Sequence, residues 1–134
     1  MSVKADVKIL LLEKDYELLK IGIETQGFDE NEMTMWNIRR EERFSKEDIK
    51  FVALSWNYVK WDYDTNEVVE KIVDYLRNLE RLNVPCRYIA IYDVGTEDEI
   101  CSCGKDPNII PYIMGYMYIS REIKVSDSFY ELVD

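Results

Sequence analysis

Val68, Val69, Ile72, Val73, Leu76, Leu79 and Leu82 recur at spacings of three and four. That spacing lays one wide apolar stripe along a helix. Glu67, Glu70, Lys71, Asp74, Arg77, Asn78 and Arg81 fall largely on the opposite side. Asp64 is a suitable N-cap, with Glu67 three residues later completing a capping box. Asn83 suits a left-handed position after the last turn, and Pro85 forbids continuation. The pattern predicts one long helix over about 65–82. A strand follows at once. Cys86, Tyr88, Ala90 and Tyr92 alternate with Arg87, Ile89, Ile91 and Asp93. Apolar residues on both faces suit a central strand covered on one side by the helix.

Upstream, Val7 to Glu13 reads as a buried strand. Tyr16 to Glu24 reads as its hairpin partner across Glu13-Lys14-Asp15. A competing helical pattern places Ile9, Leu12, Tyr16, Leu19 and Ile23 on one face. Gln26 to Glu32 reads as a polar loop and Met33 to Arg40 as an alternating strand. Ser45 with Asp48 resembles a capping box for a turn or two of helix. Phe51 to Tyr58 reads as a further strand. Beyond the central strand, Gly95 to Asn108 reads as a long irregular loop. Ile110 to Val125 reads as a last strand or pair, with Gly115 marking a bulge. Ser126 to Asp134 has room for one short helical turn. The expected fold is α+β in a single domain, residues 1–134: a mainly antiparallel sheet of about five to six strands, with one long helix on one face.

Composition narrows the function classes. The chain has 134 residues, 47% of them hydrophobic, enough for a real core. Acidic residues number 27 against 17 basic, a net charge of −10. Such a surface repels nucleic acid and favours encounter with a basic protein. The absence of histidine removes the commonest general base and metal ligand. No run approaches the roughly 18 apolar residues of a membrane span. Ala5 to Leu12 is too short for a signal peptide and is interrupted by Asp6 and Lys8. Three cysteines, Cys86, Cys101 and Cys103, form no disulfide framework, which points to a reducing cytoplasm.

Specific chemistry is sparse. A thiolate zinc site wants four ligands. Three cysteines fall short of that, so no metal or cofactor is expected. Asp93, the run Glu97-Asp98-Glu99 and Glu122-Ile123-Lys124 have the order of a divalent-metal nuclease. A nuclease also needs a basic track for phosphate, and Arg39, Arg40 and Arg43 are the one basic cluster. Serine nucleophile elbows and glycine-rich phosphate loops are absent. Ten tyrosines and three tryptophans are many for this length. Trp56 reads more readily as filling between sheet and helix than as an interface residue. Tyr112, Tyr116 and Tyr118 share one strand face, and Tyr is enriched at interfaces.

The expected partner-binding set is therefore Asp93, Glu97, Asp98, Glu99, Asp106, Tyr112, Tyr116 and Tyr118. Its carboxylates are suited to imitating nucleic-acid phosphates. The expected function is non-enzymatic: an acidic inhibitor of a basic, nucleic-acid-binding or nuclease protein, of the anti-CRISPR or anti-defence type carried by phages and mobile elements. An immunity protein that neutralises a toxin nuclease has the same physics. A small metal-dependent nuclease using Asp93 and Glu122 is the enzymatic rival. A homodimer pairing through the Tyr112–Tyr118 strand is another rival. Direct nucleic-acid binding and membrane association are not expected.

Overall fold

In a computed structural model, residues 4–46, 48–93 and 99–103 are described. Among these residues five strands form one sheet and three helices cover it. The chain order is β1 (Ala5–Leu12), α1 (Glu13–Thr25), α2 (Glu30–Asn37), β2 (Arg40–Lys46), β3 (Ile49–Val59), α3 (Glu67–Arg81), β4 (Cys86–Tyr92) and β5 (Glu99–Cys103). The sheet order is β2-β3-β1-β4-β5, and each neighbouring pair is antiparallel. The α+β class follows. β3 and β4 both oppose β1, so they run the same way with β1 between them. α3 is the crossover that makes this possible, a split β–α–β unit.

The helix read from periodicity is α3. Val68, Val69, Ile72, Val73, Leu76 and Leu79 are its buried residues. Burying each is worth about 1.5–3 kcal/mol. Its N-cap is Asn66, whose side chain accepts the Val68 and Val69 N–H bonds at 2.9 and 3.0 Å. Asp64 therefore does not cap it. Asn83 adopts the expected left-handed conformation (φ 58°). Cys86, Tyr88, Ala90 and Tyr92 face the helices as the alternation required.

Two segments expected as strands are helices. Tyr16 to Glu24 belongs to α1, and Glu13-Lys14-Asp15 is its first turn rather than a hairpin. Tyr16, Leu19 and Ile23 satisfy the helical period and bury against the sheet. Gly27 follows in a left-handed conformation (φ 83°), which ends the helix without strain. Most of Met33 to Arg40 belongs to α2, where Asp29 caps by accepting the Glu32 N–H at 2.9 Å. The polar loop expected over 26–32 is thus cut short. Met35 and Trp36 are the residues α2 buries.

Two strands replace an expected helical turn and a loop. Ser45 lies in β2, and Asp48 (φ 67°) turns the chain into β3 rather than starting a helix. Glu99 to Cys103 is β5, so Cys101 and Cys103 are strand residues, not loop thiols. β4 is interior, but the middle of the five described strands is β1. Ile110 to Val125 and the tail over 126–134 lie outside the described residues.

One core fills the helix side of the sheet. Ala5, Val7, Ile9 and Leu11 meet Val52, Leu54 and Trp56 of β3 and the buried residues of all three helices. Trp56 is core, and its indole N–H donates to the Met35 carbonyl at 2.7 Å. Trp61 packs against Trp56 with the rings tilted by 54° and centroids 4.8 Å apart, and it donates to the Tyr88 hydroxyl at 2.7 Å. A smaller cluster of Leu10, Phe51 and Ile89 lies on the other face, with no helix residue among those described.

Leu76→Ala opens a cavity at the centre of the crossover and should cost about 2–5 kcal/mol. Asn66→Ala removes only the cap and should cost about 1 kcal/mol. Urea unfolding of the two variants against wild type measures both, with Leu76→Ala the larger loss.

Candidate functional site

β1 begins, β3 ends and β4 ends at the same end of the sheet. There a concavity of about 350 Å³ is lined by Lys4, Ala5, Asp6, Tyr58, Ile91, Tyr92 and Asp93. Its shape comes from a bulge. Ala5 pairs with Val59 and Val7 with Trp56, so Asn57 and Tyr58 together oppose Asp6. Tyr58 takes a left-handed backbone (φ 50°), unfavourable for a bulky residue. The Asp6 carboxylate holds it there by accepting the Tyr58 N–H at 2.8 Å. The bulge leaves Tyr58 66% exposed, the most open of the large apolar side chains among the described residues. Backbone strain of this kind clusters at active sites, ligand clamps and switch regions.

Asp93 closes the other side. Its carboxylate accepts the Lys4 N–H at 3.0 Å, while its own N–H donates to the Lys4 carbonyl at 2.9 Å. These two bonds extend the β1–β4 ladder by one residue. Asp93 is therefore a ladder terminator as well as an exposed carboxylate. Tyr92 reaches inward, its hydroxyl donating to the Trp61 carbonyl at 3.4 Å. Two carboxylates and two aromatic rings thus share one small concave surface.

Of the residues expected from sequence to bind a partner, Asp93 stands at this site. Glu99 begins β5, paired with Ala90. Glu97, Asp98, Asp106, Tyr112, Tyr116, Tyr118 and the rival catalytic Glu122 lie outside the described residues. Asp6 is visible in the sequence only as an interruption of an apolar run, and Tyr58 only as one member of the aromatic cluster Trp56, Tyr58, Trp61 and Tyr63 before the long helix.

A second acidic feature lies on the helical layer. A groove of about 560 Å³ is lined by Gln26, Phe28, Glu67, Glu70, Lys71, Asp74 and Tyr75. Glu32 of α2 stands beside Glu67. Desolvation and the charges of Glu67 and Asp29 push the Glu32 carboxyl above its ordinary range. Burial and the Asp15 carboxylate, which accepts from the Tyr75 hydroxyl at 3.2 Å, push that phenol up to about 12.

The sequence's one basic cluster is largely consumed. Arg39 lies 3.8 Å over the Trp36 ring, and both Arg39 and Glu41 hydrogen-bond the Tyr16 hydroxyl. Arg39 also pairs with Glu41 at 2.8 Å. Burial alone would raise the Glu41 carboxyl, but the Tyr16 hydroxyl, Arg39 and Arg43 outweigh it and hold it low. Burial and Glu41 push the Tyr16 phenol up to about 12. Arg43 faces Glu13 at 3.1 Å, Glu17 at 3.4 Å and Glu41 at 3.6 Å. This network ties α1 to β2. It leaves Arg39 and Arg43 neutralised rather than aligned for phosphate.

Among the described residues no group of three or more acidic or cysteine side chains is placed to hold a metal ion. No described helix is long and apolar enough to cross a membrane.

The Glu32 shift has a sign that can be measured. A carboxyl raised by folding gives the folded state more bound protons, so stability falls as pH rises through the window from the ordinary carboxylate value to the raised one. Glu32→Gln removes the charge. The variant should melt above wild type at neutral pH and lose that advantage at pH below the ordinary carboxylate value. Equal melting temperatures at neutral pH would show that the Glu32–Glu67 repulsion is screened away.

No protein-family model matches the chain, and no curated protein or solved structure matches it, so function is argued from these residues alone.

Proposed function

We propose that the protein is a non-enzymatic acidic binding protein that engages a basic protein surface through the sheet end at Asp6, Tyr58, Tyr92 and Asp93. The observation that carries this is Tyr58. It is displayed by a left-handed bulge that Asp6 stabilises, beside a second carboxylate at Asp93. Exposed Tyr flanked by carboxylates is suited to Lys and Arg: the ring takes the aliphatic stem or cation, and the acids take the charge. The net charge of −10 supports the same partner chemistry by steering a basic surface inward. The acidic groove at Glu67, Glu70 and Asp74 adds to that field.

Proteins that bind nucleic acid carry basic surfaces. Inhibition of a nucleic-acid-binding or nuclease protein, of the anti-CRISPR or anti-defence type, is the biological setting we infer from this chemistry. The engagement of Arg39 and Arg43 by glutamates favours it over a nuclease, because a nuclease needs those cations for substrate.

Affinity capture from the native host, read by mass spectrometry, should retain a basic protein. Tyr58→Ala should weaken that complex about tenfold or more, as a central aromatic does at an interface. Asp6→Asn keeps an oxygen to accept the Tyr58 N–H but removes the charge, so it should lower the association rate without unfolding the bulge. Asp93→Asn should do the same. Retention of an acidic partner, or full affinity in all three variants, would contradict the proposal.

A further inference from the structure

We infer that the residue this sheet end receives is an arginine of the partner, its guanidinium lying on the Tyr58 ring and donating to the Asp93 carboxylate. The inference rests on the sheet end being the partner surface. Topology sets the seat. Tyr58 is in β3 and Asp93 directly follows β4, and those two strands flank β1. The two residues therefore stand two strand spacings apart, about 9–10 Å. Both line the concavity of about 350 Å³, and so does Ile91, the direct cross-strand neighbour of Asp6. Small-ligand sites run from about 300 to 1,000 Å³, so a concavity at the low end takes one long side chain rather than a length of backbone.

Each wall suits a different part of one side chain. Tyr58 presents an exposed ring, and a guanidinium stacks on such a ring better than a strongly hydrated ammonium does. Asp93 is exposed, and its Oδ1 accepts the Lys4 N–H. An ionised carboxylate has about four acceptor positions, so Asp93 retains room for a charge-assisted bond. Lys4 also lines the concavity but is in no ion pair among the described residues, so it does not neutralise Asp93 from within. Ile91 is partly buried against Leu10, Phe51 and Ile89, and its remaining surface suits a methylene stem. Asp6 holds the bulge through the Tyr58 N–H, so it contributes charge here rather than a contact. A guanidinium has a flat face for the ring and in-plane donors for the carboxylate, and it uses both at once. An ammonium has no such division. The same fork of donors grips phosphates in nucleic-acid-binding proteins, so an arginine seated here is withheld from nucleic acid.

The test is an amide chemical-shift titration of the isotope-labelled full chain at constant ionic strength. The probes are the N-acetyl amides of arginine, lysine and citrulline, the last an uncharged isostere of arginine. The arginine amide should shift the Tyr58 and Asp93 signals saturably and bind about tenfold tighter than the lysine amide, with no saturable shift from citrulline. Tyr58→Asn removes the ring while keeping a residue that tolerates the left-handed backbone, and it should weaken arginine binding about tenfold. Tyr58→Phe keeps the ring and should bind as wild type. Asp93→Asn keeps an acceptor for the Lys4 N–H and should bind more weakly. Lysine or citrulline binding as tightly as arginine, arginine shifts that survive Tyr58→Asn, or no saturable shift at Tyr58 would each overturn the arginine assignment. The captured complex keeps the two claims apart. If Tyr58→Ala weakens that complex while arginine and lysine amides bind alike, the arginine assignment falls and the partner surface stands. If the arginine amide binds as expected while the captured protein binds Tyr58→Ala at full affinity, the partner surface falls and the arginine site stands.

Discussion

The rest of the structure depends on β1 being hydrogen-bonded along both edges. β3 and β4 pair with it from opposite sides and run in the same direction. A chain that leaves one and enters the other must cross the whole sheet, which takes a dozen or more residues and usually a helix. α3 supplies that crossing, and its apolar stripe is what holds it on the sheet. The long, uninterrupted periodicity in the sequence reflects this single mechanical task. Once α3 is fixed, the direction of β4 is fixed. The start of β1 and the ends of β3 and β4 then coincide, and the concavity at Asp6, Tyr58 and Asp93 exists because of that coincidence.

The legible parts of the sequence were those with one period and one face. α3, β4 and most of β3 meet that condition. Between Val7 and Ile23 two patterns overlap, because a buried strand passes into a helix at Glu13 without a side-chain cap. Tyr16, Leu19 and Ile23 fit a helix, but the run before them fits a strand, and the polar Glu13-Lys14-Asp15 between the two reads equally as a hairpin turn or as a first helical turn. α2 is eight residues long, and its mixed composition alternates well enough to imitate a strand. β2 was hidden for the opposite reason. Arg40 to Lys46 is mostly charged, as suits a strand that is an edge of the sheet among the described residues. β5 is short, and its cysteines drew attention to metal chemistry rather than to pairing.

The candidate site was half visible. Asp93 was singled out as the residue where the interior strand launches its loop, and it does stand at the concavity. Its two bonds to Lys4 are local structure that sequence cannot show. Tyr58 was one aromatic of a cluster with Trp56, Trp61 and Tyr63, and nothing in the sequence set it apart from the other three. Its meaning comes from the one-residue mismatch between β1 and β3, a property of register. The arginine cluster was equally mute: Arg39, Arg40 and Arg43 read as a basic patch until Glu13, Glu17 and Glu41 are seen around two of them.

The central functional claim is electrostatic: an acidic sheet end, displaying one strained aromatic, meets a basic protein. Ionic strength separates that claim from a purely apolar contact. The decisive measurement is the association rate of the captured complex by stopped flow across a salt series spanning Debye lengths from about 30 Å to 8 Å. The account predicts an association rate that falls at least about tenfold over the series, with a dissociation rate that changes far less. An association rate that does not change with salt would contradict it.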